Sequence, residues 1–388
     1  MIERPSLAGW IALALLNCGV LLGYLAAHPN FCGDFCAFYA GAQVYHHSPS
    51  QLYNPSLQRQ AERAAVGRDD IPFDRAPYEL LLWLPLSRFP FHTAFWMWRV
   101  ISLGLLAVAA RLLSRTLATR YTPAGVFAIA LAFFPVPYSL WMGEDSILLL
   151  AIFTGAIWFL SWQHEFLAGL VLGLAVGRLE LILPIALVYL LWRRWRLVGG
   201  IICSGAAMAA ISLAMVGRSG IARMISLVLE AENSKRMAEH PVMMPNLRGL
   251  IALLPIGHPA VQTAVVLLLS IALLVTATLT LRGQPLRERQ FARLVCFALL
   301  ISFRLNLHGL TLLLLPTLVI LQDRVPALES KRKLGVLLVG LFCTPLYIVT
   351  LGAFKVAVLA LLVGWLWFAI AKQRTTLWPQ PISQPVTA

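Results

Sequence analysis

Apolar runs of membrane-span length recur along this chain from Leu7 to Ile370, and that recurrence leaves few folds open. A membrane-crossing helix needs about 20 predominantly apolar residues. One soluble core does not absorb runs spread over the whole length. Hydrophobic residues make up 59% of the 388 and charged residues 12%, against roughly a quarter charged in soluble domains. Lipid is the solvent that covers this excess. Charged and Pro/Gly clusters divide the runs into about twelve candidate spans. They lie near 8–27, 91–110, 122–138, 146–162, 165–178, 179–192, 197–216, 259–281, 290–304, 306–322, 334–350 and 354–371. The expectation is an all-α integral membrane protein, a single polytopic domain over 1–388 with about twelve transmembrane helices.

The net charge of +14 would suit nucleic acid if it lined one face. Instead the basic residues sit in short clusters between apolar runs: Arg111, Arg115 and Arg120; Arg193, Arg194 and Arg196; Arg282, Arg287 and Arg289; Lys331, Arg332 and Lys333; Lys372 and Arg374. That is the pattern of cytoplasmic loops. The partners it implies are membrane lipids, with no nucleic acid. Placing every cluster inside puts both termini in the cytoplasm of a multi-pass inner (plasma) membrane protein. It also requires His164–Arg196 to make two short spans that turn outside at Arg178, Leu179 and Glu180. Halves of about 14 residues are too short to face lipid alone, so they are expected to line a water-filled outer recess. Arg4 and the apolar stretch Leu7–Ala27 lack a small-residue cleavage site and read as an uncleaved first span.

The same count puts residues 28–90, 143–146, 217–258 and 304–308 outside. The first of these interleaves Phe31, Phe35, Phe38, Tyr39, Tyr45, Tyr53 and Phe73 with charges, as suits an outer loop lying at the membrane interface. Short interfacial helices are expected around Phe35–Tyr45 and Ser56–Val66, followed by an apolar wedge Tyr78–Leu86 that dips into the bilayer. Residues 375–388 read as a disordered cytoplasmic tail.

Ionisable residues at membrane depth are costly, so each outer one is a site candidate. Asp34, between Phe31-Cys32-Gly33 and Phe35-Cys36, is either a general base with a raised pKa or the N-cap of the helix that follows. Glu144 and Asp145 suit binding of acceptor or sugar hydroxyls; the alternative is that Asp145 or Ser146 caps the next helix. Arg178 and Glu180 suit either a structural ion pair or donor phosphate. Arg304, Asn306 and His308 repeat that logic at the next outer turn. The run His240-Pro241 to Asn246-Leu247-Arg248 suits either a cover over a prenyl chain and its phosphate or a plain interfacial anchor. Cys18, Cys203, Cys296 and Cys343 lie in apolar runs as inert thiols, whereas Cys32 and Cys36 share a polar loop and suit a disulfide or part of a metal site. No phosphate-binding Gly-x-x-x-x-Gly-Lys loop, His-Glu-x-x-His pair or Gly-x-Ser-x-Gly turn is present, which argues against ATP-driven transport, zinc proteolysis and serine hydrolysis.

Several segments resemble glycosyltransferase family 87. They are Asp34-Phe35 with Phe38-Tyr39-Ala40-Gly41; Leu52-Tyr53; Pro77-Tyr78 with Leu84-Pro85-Leu86; Gly143-Glu144-Asp145-Ser146; Gly169-Leu170 with Gly173-Leu174-Ala175 before Arg178; Met244 to Leu250; and the His308 turn with Leu313-Leu314-Leu315-Pro316. The family often has Gly-Gln where Gly143-Glu144 stands and Lys-Pro where Arg178-Leu179 stands. The resemblance implies a C-type glycosyltransferase fold and an inverting, mannosyltransferase-like enzyme. Its donor would be a polyprenyl-phosphate sugar and its acceptor a lipid or glycan hydroxyl on the outer face. It would cast Asp34 as the base. Arg178, Arg248, Arg304 and His308 would then hold the donor phosphate, and Glu144, Asp145, Tyr39 and Asn246 the acceptor or sugar. A monophosphate leaving group neutralised by Arg and His requires no metal and no cofactor. A lipid or solute transporter and a noncatalytic membrane relative are the alternatives; the first would show inverted repeats, and the second would tolerate Asn at position 34.

Overall fold

The computed structural model describes residues 6–27, 33–67, 72–233, 241–282 and 287–322, and in addition 336, 339–342 and 363–364. Most of the two expected spans near 334–350 and 354–371, His240, Cys32, Cys343 and the tail 375–388 lie outside them. Among the described residues every regular element is helical. The chain runs through α1 (Leu7–Ala27), then two short helices α2 (Phe35–His47) and α3 (Pro55–Val66), as the aromatic loop pattern predicted. Asn54 caps α3 by accepting from the Ser56 N–H, and Pro55 opens its first turn. The wedge Tyr78–Leu86 forms tight 3-10 turns that bury Leu80 and Trp83 in the protein and leave Leu81 and Leu82 exposed.

The bundle continues with α4 (Phe91–Thr116), α5 (Pro123–Ala132), α6 (Pro135–Met142), α7 (Ser146–Ser161), α8 (Glu165–Gly173) and α9 (Leu179–Leu191). The span expected near 122–138 is a bent pair: α5 and α6 meet at 75°, with Pro135 opening the second helix. The stretch His164–Arg196 does make two short helices that turn back at Arg178, as the basic loops required. Next come α10 (Trp195–Asn233), α11 (Leu247–Ala252), α12 (Pro259–Leu281), α13 (Arg287–Ile301) and α14 (Leu314–Gln322). Among the described residues α4, α10 and α12 are long and apolar enough to cross a membrane, and the bent pair would make a fourth. Among the described residues the apolar helices α7 and α9 fall short of that length, as does the stretch His308–Gln322 that contains α14. The described residues thus show three to four spans of full length and do not establish twelve.

Two apolar clusters hold the molecule together. The larger joins α4, α5, α7, α13 and α14 around Phe133, Phe153, Phe291 and Phe297. The smaller is built from the first loop, where Phe35 stacks on Phe95 at 4.9 Å and Phe38 on Trp83 at 4.1 Å, and it reaches α10 at Val216 and Leu227. The loop is therefore a fixed part of the fold. Large apolar side chains face outward on α12, with Leu268 66% and Leu279 68% exposed, as befits a lipid-facing helix.

Two features of α10 set the site. At its start it packs on α8 with backbone close to backbone, because a side chain at Gly169 would strike the Leu197 carbonyl. At Gly217 the backbone leaves helical geometry (φ 68°, ψ 178°) and the chain turns. Beyond the turn Ile221, Met224, Ile225, Val228 and Leu229 recur at helical spacing and line one cavity wall. Arg223 donates to Gln51 in the first loop, tying this arm to it.

Candidate active site

The turns between helices bring one buried charge cluster together. Gly143, in a left-handed turn (φ 68°), ends α6 with Phe95 and Phe35 packed against its bare Cα. The next two residues, Glu144 and Asp145, are thereby carried inward; they are 1% and 3% exposed. Glu144 Oε1 accepts from Arg75 Nη2 at 2.7 Å and Arg178 Nη2 at 3.2 Å, and His308 Nε2 lies 3.2 Å from it. Arg178 also bridges to Asp145, which occupies the N-cap position of α7 without capping it. The capping reading of Asp145 is thus replaced by an ion pair. Arg178 and Glu180 stand 4.0 Å apart, the longest of the ion pairs that Arg178 makes.

Asp34 resolves in the same direction. It stands at the N-cap position of α2 yet makes no side-chain cap bond. Its Oδ2 instead faces His308 Nδ1 at 3.6 Å. His308 therefore stands between Asp34 and Glu144. Arg304, four residues before His308, reaches Asp74 in the first loop at 3.1 Å.

Electrostatics divide these carboxylates. Burial raises the Asp34 pKa, the charges of Glu144 and Asp145 add to the rise, and Arg75 and Arg178 offset part of it, leaving it at about 7. Burial would also raise Glu144, but Arg178, its bonds with Asp145 and the charge of Arg75 outweigh it and bring the group down to about 2. Glu144 is the fixed anion of the cluster. Burial lifts Asp145 to about 6 and Glu79 to about 7, with Arg178 and Arg75 opposing. Perturbed carboxyls gathered beside a cavity are a mark of functional sites.

The cavity beside the cluster measures about 770 Å³. Its polar end carries Arg75, Arg178, Arg304, Asn306 and His308, and its other end is walled by the apolar face of α10 after Gly217 together with Leu181 and Leu312. Among the described residues, Ser146 Oγ and Arg178 Nε are buried beside it without a hydrogen-bond partner. Asp34, Glu144 and His308 place one ligand atom each within 4.8 Å of the others, a spacing that would suit a metal ion. The occupancy of Glu144 Oε1 by two guanidinium groups opposes a divalent cation there. The group is better suited to an anion bound against its arginines.

Of the residues singled out in the sequence, the structure gathers Asp34, Glu144, Asp145, Arg178, Arg304 and His308. Asp34, Glu144 and Asp145 belong to the cluster without lining the cavity, and three further residues stand apart from both. Tyr39 lies in the aromatic cluster and donates to the Phe89 carbonyl at 2.9 Å. Asn246 caps α11 and donates to the Ser302 carbonyl at 2.7 Å, so its polar atoms are taken by backbone. Arg248 stacks on Phe303 with 3.8 Å to the ring centre and donates to its carbonyl. Sequence reasoning missed Asp74, Arg75 and Glu79. Their signal was an Asp-Arg pair directly before Pro77-Tyr78, in a loop otherwise read for its aromatics. Cys36 is disulfide-bonded, and Cys18, Cys203 and Cys296 are free.

A helical membrane protein with a buried, near-balanced charge cluster at the head of a long, partly apolar cavity is the class that fold and site define. The family model of glycosyltransferase family 87 matches residues 76–302, more than half of the chain, and the protein belongs to that family of glycosyltransferases. Glu79, Glu144, Asp145 and Arg178 fall within the match, whereas Asp34, Arg75, Arg304 and His308 lie beyond its ends. No curated protein and no solved structure matches the chain.

Proposed function

We propose that this glycosyltransferase moves a hexose, mannose-like, from a polyprenyl-phosphate donor to a hydroxyl of a lipid or glycan acceptor at the outer face of the plasma membrane, with inversion. The observation that carries the reading is the cavity: one end cationic, the other apolar, the form of a lipid phosphate. The prenyl chain lies along Ile221, Ile225 and Leu229, and the phosphate meets Arg178, Arg304 and His308, with Arg75 behind them. Arg248, outside the lining and stacked on Phe303, does not meet the phosphate in this arrangement.

Ionised Asp34 accepts the acceptor hydroxyl proton as that oxygen attacks the anomeric carbon from the face opposite the phosphate. The bond from anomeric carbon to phosphate oxygen breaks, its electron pair leaves with the phosphate, and the arginines neutralise the charge that develops. With Glu144 ionised, His308 Nε2–H is directed at it and the Nδ1 lone pair faces Asp34; burial and the charges of Arg178 and Arg75 lower the His308 pKa to about 3, so His308 stays neutral and the collected proton remains on Asp34. Glu144 and Asp145 position the guanidinium of Arg178.

The test uses purified protein with a panel of polyprenyl-phosphate sugars. Asp34→Asn is expected to lower donor turnover by about 10²–10⁴-fold, the usual worth of a general base, with donor binding retained. Unchanged turnover would move the base elsewhere, with Glu144 and Asp145 the next to test. No donor binding or turnover by the wild type would turn attention to transport.

A further inference from the structure

At the far end of α8 and α9 lies a second recess, of about 730 Å³, which the transfer reaction does not use. The distance is fixed by α9, whose 13 residues at 1.5 Å each separate the two ends by about 20 Å. Its walls carry Arg193, Arg194, Arg196 and Arg287 against one carboxylate, Glu165. Glu165 holds Arg194 at 3.0 Å and Arg287 at 2.8 Å. Among the described residues Arg193 and Arg196 have no carboxylate partner, so the recess keeps an excess of positive charge.

The backbone adds to that charge. Glu165 and Trp195 are the first residues of α8 and α10, so two helix N-termini open on the same recess. Each presents unpaired N–H groups and the positive end of its dipole. The start of α8 has no side-chain cap bond to occupy them. The two turns that bring these ends together pass through Gln163 (φ 62°) and Arg193 (φ 60°), left-handed conformations that a non-glycine residue adopts at a cost. Trp195 is 62% exposed and Phe166 44% exposed at the rim. Exposed aromatic side chains beside arginines mark the depth of lipid headgroups.

We infer that this recess binds the phosphate of an anionic phospholipid from the leaflet opposite the transfer site. Arg193 and Arg196 contact the phosphate oxygens, the N–H groups of α8 donate to it, and Phe166 and Trp195 flank the glycerol and upper acyl chains. The inference does not depend on the transfer reaction, and its measurement reads lipid binding alone.

The experiment is native mass spectrometry on the full-length, detergent-solubilised protein titrated with dioleoyl phosphatidylglycerol or dioleoyl phosphatidylcholine. The wild type is expected to retain the anionic lipid in preference to the zwitterionic one. The double variant Arg193→Gln/Arg196→Gln is expected to lose roughly thirtyfold in apparent affinity for phosphatidylglycerol, about 1 kcal/mol for each cation removed near the surface. A melting temperature equal to wild type without added lipid confirms that the variant folds. Equal retention of the two lipids by the wild type, a result that needs no variant, overturns the inference. So does undiminished binding in the folded double variant. Displacement of the lipid by millimolar inorganic phosphate assigns the recess to a soluble anion and overturns the lipid source.

Discussion

The two charged recesses at the ends of α8 and α9 use the same side chains to opposite ends. Around Glu144 two guanidinium groups and the neutral His308 converge on one fully buried carboxylate, with Asp34, Asp145 and Glu79 in the same cluster. Around Glu165 two arginines share one carboxylate near solvent, while two more have none among the described residues. Burial makes the difference. In a low-dielectric interior each charge must be met by another, which fixes geometry and spreads pKa values apart. Beside solvent or headgroups an excess charge costs little and stays available to a partner.

Removing the central anion of each recess is the sharpest way to break this comparison. Glu144→Gln leaves Arg75 and Arg178 without their shared partner inside the protein and is expected to cost about 3–5 kcal/mol. The check is thermal unfolding in detergent, where a loss below 1 kcal/mol would mean that the buried network is not the constraint described. Next in size, Arg178→Lys keeps the charge but cannot span Glu144 and Asp145 together, and it should lower transfer efficiency by about 10–100-fold. Transfer at wild-type efficiency would show that charge alone suffices.

The pH dependence of transfer sharpens the contrast within the buried site. With Asp34 raised to about 7, its ionised fraction falls tenfold for each unit below that value, so the rate should rise with pH through about 7. Glu144, at about 2, contributes no inflection in that range. A profile flat from pH 5 to 8 would remove Asp34 from the role of base. The smallest effect belongs to the open recess: Glu165→Gln is expected to change stability by less than about 1 kcal/mol, as for other solvent-near pairs, in the same unfolding measurement.

Much of the chain's course was legible beforehand. Span periodicity placed α1, α4, α7 and α12 within a few residues, and the basic loops required α8 and α9 to be a short pair with their turn at Arg178. Both depend on local composition, which sequence carries directly. Periodicity failed at the bend between α5 and α6, because an apolar run looks the same whether it is straight or turned by 75°.

At the site, the sequence by itself determined which polar residues sit between apolar helices: Asp34, Glu144, Asp145, Arg178, Arg304 and His308. Only the tertiary structure decided their partners. Asp34 and Asp145 occupy N-cap positions, where local rules favour capping, yet both side chains turn to groups distant in sequence. Arg75 enters the cluster through Glu144, 69 residues later, and Asn246 leaves the candidate set because Ser302 backbone holds it. The physical reason is range: hydropathy and helix period act over a few residues, whereas a buried charge is stabilised by whichever opposite charge the fold brings within a few ångströms.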